Sequence, residues 1–160
     1  MIQGQTVLIT GGAGFIGTTL ARRIRHRNKV VLFDSLHRDA VKGTDLLAHQ
    51  NVTLVQGDVR DADAVRQACA DATMIVHMAS IAGVDTVMKR PVETMEVALT
   101  GTLNVLRAAK DLPGLVRLID FSTSEVFGQY AFRVQEGDVT SLGAVGEARW
   151  TYAVSKLATE

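Results

Sequence analysis

Thr6-Val7-Leu8-Ile9-Thr10, followed at once by Gly11-Gly12-Ala13-Gly14-Phe15-Ile16-Gly17, is the stretch on which the reading of this chain turns. Five β-favouring residues predict a strand, three spaced glycines a sharp turn, and Ile16, Leu20 and Ile24 a helix starting directly after it. Gly11 suits the tight turn, Gly14 leaves room for a ligand to approach the backbone, and Gly17 lets the helix pack closely on the strand. A helix that starts there presents free N–H groups to an anion, and the glycine spacing is that of a turn receiving a dinucleotide pyrophosphate. Gly11, Gly14, Phe15, Ile16 and Gly17 are therefore the candidate cofactor contacts of this turn. Three glycines also serve a plain strand-to-helix turn, so a second feature has to decide.

Asp34 is that feature. It stands at the end of the next apolar run, where a carboxylate accepts hydrogen bonds from an adenosine ribose. It would repel a 2′-phosphate, which favours NAD, while nearby Arg38 keeps NADP open; the bland reading of Asp34 is a loop cap. Outward from here, short β-rich runs alternate with helical segments. Strands are predicted at residues 6–10, 30–34, 53–57, 74–77 and 116–122. The fold class implied is α/β, a Rossmann-like doubly wound parallel sheet flanked by helices. Pro91 opens the clearest helix, with Val92, Met95, Leu99, Leu103 and Leu106 on one face. Asp61 reads as the start of a helix that buries Val65, Ala68 and Cys69. Residues 128–150 show no period, and long connections of this kind are often functional. Helical spacing resumes at Tyr152 and runs to the last residue, Glu160.

The composition suits one soluble domain: 160 residues, 47% hydrophobic, with 17 basic residues balancing 17 acidic ones. That balance predicts no general attraction to nucleic acid or to a membrane surface. A single cysteine, the lack of a basic leader and the lack of a long apolar run predict a cytoplasmic protein. His26, His37, His49 and His77 are scattered without ligand spacing, so no metal site is expected, and His77 reads as a packed strand-end residue.

Two further clusters carry chemistry. Tyr152 and Lys156 are four residues apart, so on a helix a phenol and an ammonium share one face. A tyrosine ordinarily loses its proton near about pH 10, and a close ammonium stabilises the phenolate, making it a usable base. The bland alternative is a solvated helix face. Phe121-Ser122-Thr123-Ser124-Glu125-Val126-Phe127-Gly128 ends the fifth strand, at the carboxyl edge where such sheets assemble sites. A hydroxyl there can bond a substrate oxygen passing from alcohol to ketone, and Glu125 can move a proton in a later step.

Together these residues resemble the extended short-chain dehydrogenase/reductase family, particularly its nucleotide-sugar epimerases, dehydratases and decarboxylases. The matching pieces are TGGAGFIG at 10–17, Asp34, GDVRD at 57–61, HMAS at 77–80, GTLNVLRAA at 101–109, STSEVFG at 122–128 and YAVSK at 152–156. The resemblance implies that Asp58 and Val59 contact the adenine, that Met78, Ala79 and Ser80 line the ribose and nicotinamide side, and that Thr123, Tyr152 and Lys156 form the catalytic triad. Lys156 would also hold the nicotinamide ribose. It implies hydride transfer from a sugar carbon, usually C4, to NAD, then epimerisation, dehydration or decarboxylation, with a UDP-sugar as the favoured substrate.

Ser124-Glu125 and Arg149-Trp150 look more like the uronic-acid decarboxylases, although the epimerase group is larger and varies at the Ser124-Glu125 pair. Ala98 stands where many relatives carry asparagine, and Phe127 where they carry tyrosine. Residues 1–160 would be one NAD-binding domain carrying the YxxxK motif, lacking a C-terminal substrate part. Relatives commonly form homodimers through the fourth helix and the tyrosine helix; Val97, Val105 and Ala108 offer a second apolar face for that, or for burial in a monomer. The alternatives are a redox enzyme acting on a non-sugar alcohol or ketone, and a non-catalytic NAD-binding module.

Overall fold

The computed structural model describes residues 2–160. The chain forms two compact units, one made of the residues up to Ala79 plus Gly101–Phe121, the other of Ser80–Thr100 and Ser122–Glu160. The first holds a parallel sheet of five strands: β1 (Thr6–Thr10), β2 (Lys29–Asp34), β3 (Val52–Gln56), β4 (Met74–His77) and β5 (Arg117–Asp120). Their spatial order is β3-β2-β1-β4-β5, with Val7 beside Val30 on one side and Met74 on the other. The expected doubly wound sheet is thus present. Strands β1 and β4 match their predicted bounds, β2 starts one residue earlier, and β3 is shifted back by one. β5 is shorter than expected: Val116 lies before it and Phe121 and Ser122 beyond it.

Successive residues of a strand face opposite sides, and the core follows that rule. Val7, Ile9, Val30, Leu32, Met74 and Val76 pack with Ala21 of α1 (Phe15–Ile24). Leu8, Thr10, Ile75 and His77 alternate with them and are buried as well, so β1 and β4 are covered on both faces. The second cover comes from α2 (Ala62–Cys69) and α5 (Gly101–Lys110), which pack on each other. Right-handed crossovers require this division, since the chain moves one way from β1 to β3 and the other way from β4 to β5. Asp61 caps α2 as predicted, its Oδ1 accepting from the backbone N–H groups of Asp63 and Ala64. Cys69 is buried at the end of that helix, and burial pushes its thiol up to about 11.

The helical segment opened by Pro91 is not one continuous α-helix, and its apolar stripe is not its buried face. It consists of α4 (Pro91–Met95), a π segment (Glu96–Thr100) and α5. Its large apolar residues are also not the buried ones: Val92 is 69%, Met95 40%, Leu103 49% and Leu106 44% exposed. The buried positions are Thr94 and Ala98, then Gly101, Thr102, Asn104, Val105, Ala108 and Ala109. Of the two roles open to the second apolar face, Val105 and Ala108 take burial within the chain. Small side chains let this helix lie close to its neighbours, and a hydropathy stripe weighted by size points the wrong way.

In the second unit α4 and the π segment pack against α6 (Thr151–Leu157), and α3 (Val84–Lys89) against residues 148–150. Helix α6 closes at Leu157 rather than continuing to Glu160. Residues 128–147 contain no helix or strand, as expected, yet both ends are tied down. Gly128, at φ +75°, lies so close to Ser141 that a Cβ would sit 2.4 Å from its carbonyl oxygen. At the other end Gly143 lies flat against buried Trp150, whose indole N–H donates to Glu147 at 2.7 Å. Among the described residues no helix is long and apolar enough to cross a membrane.

Candidate active site

The sheet order reverses between β1 and β4, and ligands of open α/β sheets bind beyond the carboxyl ends of strands at such a point. The glycine turn leaves β1 there. Gly11 has φ +68°, and a Cβ on it would lie 3.0 Å from the backbone of Met78 and Ala79, so only glycine fits. Gly12 is the glycine that packs on the sheet, with Leu32 Cα 2.9 Å from where a Cβ would be. Gly17 packs on the turn itself, not on the strand as expected: a Cβ would lie 2.7 Å from Gly11 O and from Gly12 Cα. Around Gly14 a Cβ meets only Gly11 O, at 3.2 Å, which leaves the outer side of the turn open. The start of α1 has no side-chain cap and no acidic residue, and Phe15 and Ile16 are exposed. These are the features an anion-binding helix start requires.

Asp34 does two things at once. Its Oδ2 accepts from Ala13 N at 3.0 Å and its Oδ1 from Leu36 N at 2.8 Å, so it locks the glycine turn to the end of β2. Each oxygen has a second lone pair left for a ribose hydroxyl. On the neighbouring strand end, Asp58 is held by Arg60 Nη2 at 2.6 Å, and that guanidinium keeps its carboxyl below the usual carboxylate range against a smaller opposing effect of burial. Val59 is buried.

The polar network beneath this edge was only partly visible in the sequence. Thr10 Oγ1 accepts from the backbone N–H groups of Met78 and Ala79, both at 3.2 Å, and lies 2.6 Å from His77 Nδ1. With both lone pairs used, its proton goes to Nδ1, which leaves the His77 Nε2–H to donate to Thr102 Oγ1 at 3.0 Å. His77 is packed, as expected, and in addition joins β1, β4 and α5. Asn104 donates through Nδ2 to the carbonyls of Val59 and Arg60, each at 3.0 Å. Asparagine is a poor helix former, and its place inside the run GTLNVLRAA was the available signal.

The second unit carries the remaining candidates. Ser80 Oγ is buried without a hydrogen-bond partner, and such an orphan costs roughly 1–3 kcal/mol unless a ligand or water meets it. Thr123 stands in extended conformation before the short 3-10 turn Ser124–Phe127, with Oγ1 accepting from Glu125 N at 3.3 Å. Its hydroxyl proton remains to donate elsewhere. Ser124 and Glu125 are exposed. Helix α6 packs against this turn and carries half-buried Tyr152 and, one turn on, Lys156, which is only 3% exposed. A solvated helix face is thereby ruled out for Lys156. Ser122 and Glu160 are joined by a side-chain hydrogen bond. Arg149 stacks over the Trp150 ring at 4.7 Å.

Comparison with known proteins shows the family and the fold. A family model described as the NAD dependent epimerase/dehydratase family matches residues 7–160. The chain is 34% identical over 154 residues to a UDP-N-acetyl-alpha-D-glucosaminuronate decarboxylase of Bacillus cytotoxicus, covering 96% of this chain and 47% of that protein. The crystal structure of a dTDP-glucose 4,6-dehydratase from Streptomyces venezuelae, with NAD bound, superposes with a TM-score of 0.82 at 28% identity, covering 96% of this chain and 49% of that one. A UDP-N-acetylglucosamine 4-epimerase from Methanobrevibacter ruminantium shares the fold at a TM-score of 0.86 and 24% identity, over 99% of this chain and 49% of that one. The chain thus spans about half the length of the relatives it matches. It belongs to the NAD-dependent epimerase/dehydratase family.

Proposed function

We propose that the full protein modifies a nucleotide sugar, most simply a UDP-sugar, and that residues 1–160 are its NAD-binding domain and carry its proton-transfer groups. The observation that carries this reading is buried Lys156, four residues after Tyr152 on α6. Burying an ammonium is costly, and here the ammonium accompanies a phenol next to the Thr123 turn. The glycine turn, Asp34 and the orphan Ser80 hydroxyl fit NAD: Gly11, Gly14, Phe15, Ile16 and Gly17 take the pyrophosphate, Asp34 the adenosine ribose, Asp58 and Val59 the adenine, and Met78, Ala79 and Ser80 the nicotinamide side. Bound NAD supplies the hydride acceptor. Thr123 would donate a hydrogen bond to the sugar oxygen and hold it, while Tyr152 as phenolate would accept the proton of that hydroxyl as the carbon's hydrogen leaves with its electron pair to the hydride acceptor. Lys156 stabilises the phenolate. Ser124 positions the keto sugar, and Glu125 moves a proton in the following step.

A homodimer through the fourth helix and the tyrosine helix is supported, on the fourth, by the exposed apolar side chains Leu103 and Leu106 of α5. Buried Val105 and Ala108 have no part in it. The single cysteine, buried, accords with a cytoplasmic protein. The test is to incubate the full-length protein and NAD with UDP-glucuronate, UDP-glucose, UDP-N-acetylglucosamine and dTDP-glucose and identify products by mass spectrometry and NMR. Loss of carbon dioxide identifies a decarboxylase, loss of water a dehydratase, and an isobaric product with a changed C4 signal an epimerase. Unchanged sugars with NAD still bound would overturn the reading.

A further inference from the structure

We infer that Asn104 is a positioning residue for the adenine end of the cofactor site. The inference rests on the NAD reading above. The segment after β3 lies beside the glycine turn's anchor: Gln56 pairs with Asp34 in the sheet, and Gly57 N donates to Asp34 O at 3.0 Å. What holds the segment from behind is a single turn of α5. Asn104 Nδ2 spans the two successive carbonyls of Val59 and Arg60, at 3.0 Å each, and the residue is buried. Gly101, one turn earlier, lets Val59 come in: a Cβ there would lie 2.6 Å from Val59 Cγ2. One amide thus stops the carbonyls from turning outward, and one missing side chain sets how far the loop sinks. Asp58 is anchored locally, through Arg60, so the orientation of the whole Asp58–Arg60 segment is referred to α5. Asn104 itself touches no ligand in this arrangement.

The experiment uses the cofactor-depleted full-length protein and the two halves of NAD as probes. Asn104→Ala is expected to weaken AMP and NAD about tenfold while NMN binding stays at the parent level. A general loss of structure would move AMP and NMN together, and parallel loss, or no loss, overturns the inference. Asn104→Ser, whose hydroxyl is too short to span both carbonyls, is measured in the same way if the alanine variant does not fold. Failure of both variants to fold also overturns it, since Asn104 would then be a residue of the fold alone. A parent protein that binds neither AMP nor NAD refutes the cofactor reading itself, a result distinct from any of these.

Discussion

Gly17→Ala sets two simple rules against each other. Alanine is better than glycine inside a helix by about 1 kcal/mol, and residue 17 lies in the first turn of α1, so propensity alone predicts a more stable protein. The structure predicts the reverse. The new Cβ would meet Gly11 O at 2.7 Å, Gly12 Cα at 2.7 Å and Gly12 O at 2.8 Å, all of them backbone atoms that cannot rotate away. Overpacking of this kind costs about 1–3 kcal/mol, so the net effect is a loss of about 1 kcal/mol, or roughly 2–4 °C in Tm for a domain of this size. Relief requires the helix start to move off the glycine turn, and that movement displaces the N–H groups at the turn. NAD affinity in the full-length protein should therefore fall about tenfold, out of proportion to the change in stability. Thermal denaturation and calorimetric titration read the two quantities, with Gly114→Ala as the control, since nothing lies within 4 Å of a Cβ there. A Gly17→Ala protein as stable as its parent and with the same NAD affinity would contradict the close packing of residue 17 on the glycine turn.

Two other consequences follow from buried groups. His77→Leu removes the acceptor for the Thr10 hydroxyl and should cost about 1–3 kcal/mol by denaturant midpoint; adding Thr10→Val should cost less than the sum of the single changes, and strict additivity would contradict the shared network. Cys69, buried and with its thiol pushed up to about 11, should resist alkylation near neutral pH in the native protein and react once it is unfolded; equal rates, read by peptide mass, would contradict its place in the core.

The sheet was legible in the sequence because its central strands are unbroken apolar runs bounded by punctuation: Thr6–Thr10 ends at glycine, and Met74–His77 is short and apolar throughout. Asp61 and Cys69 were legible for the same local reason, a cap and an apolar position at helical spacing. The helix from Pro91 was not. Val92, Met95, Leu103 and Leu106 form the obvious stripe, yet burial falls on Thr94, Ala98, Thr102 and Val105, because close packing selects small residues and a hydropathy count does not. The glycine turn was recognised, but the packing on the sheet assigned to Gly17 from spacing falls to Gly12, a matter of which backbone each one faces. Thr10, Thr102 and Asn104 were invisible as a group because their partners lie 25 to 69 residues away in sequence. Thr123, Tyr152 and Lys156 are candidates by their residue types, and burial of Lys156 is what spacing alone does not supply.

Proton transfer by Tyr152 during NAD-dependent oxidation of a nucleotide sugar is the step on which the proposed function depends. It is tested most directly by mixing the NAD-loaded full-length protein, as parent and as Tyr152→Phe, with the panel of UDP- and dTDP-sugars in single turnover and following reduction of the nicotinamide. The predicted result is prompt reduction by one of these sugars in the parent, slowed by about a hundredfold or more in Tyr152→Phe with NAD still bound. Equal rates in the two proteins, or no reduction by any sugar in a parent that holds NAD, would contradict it.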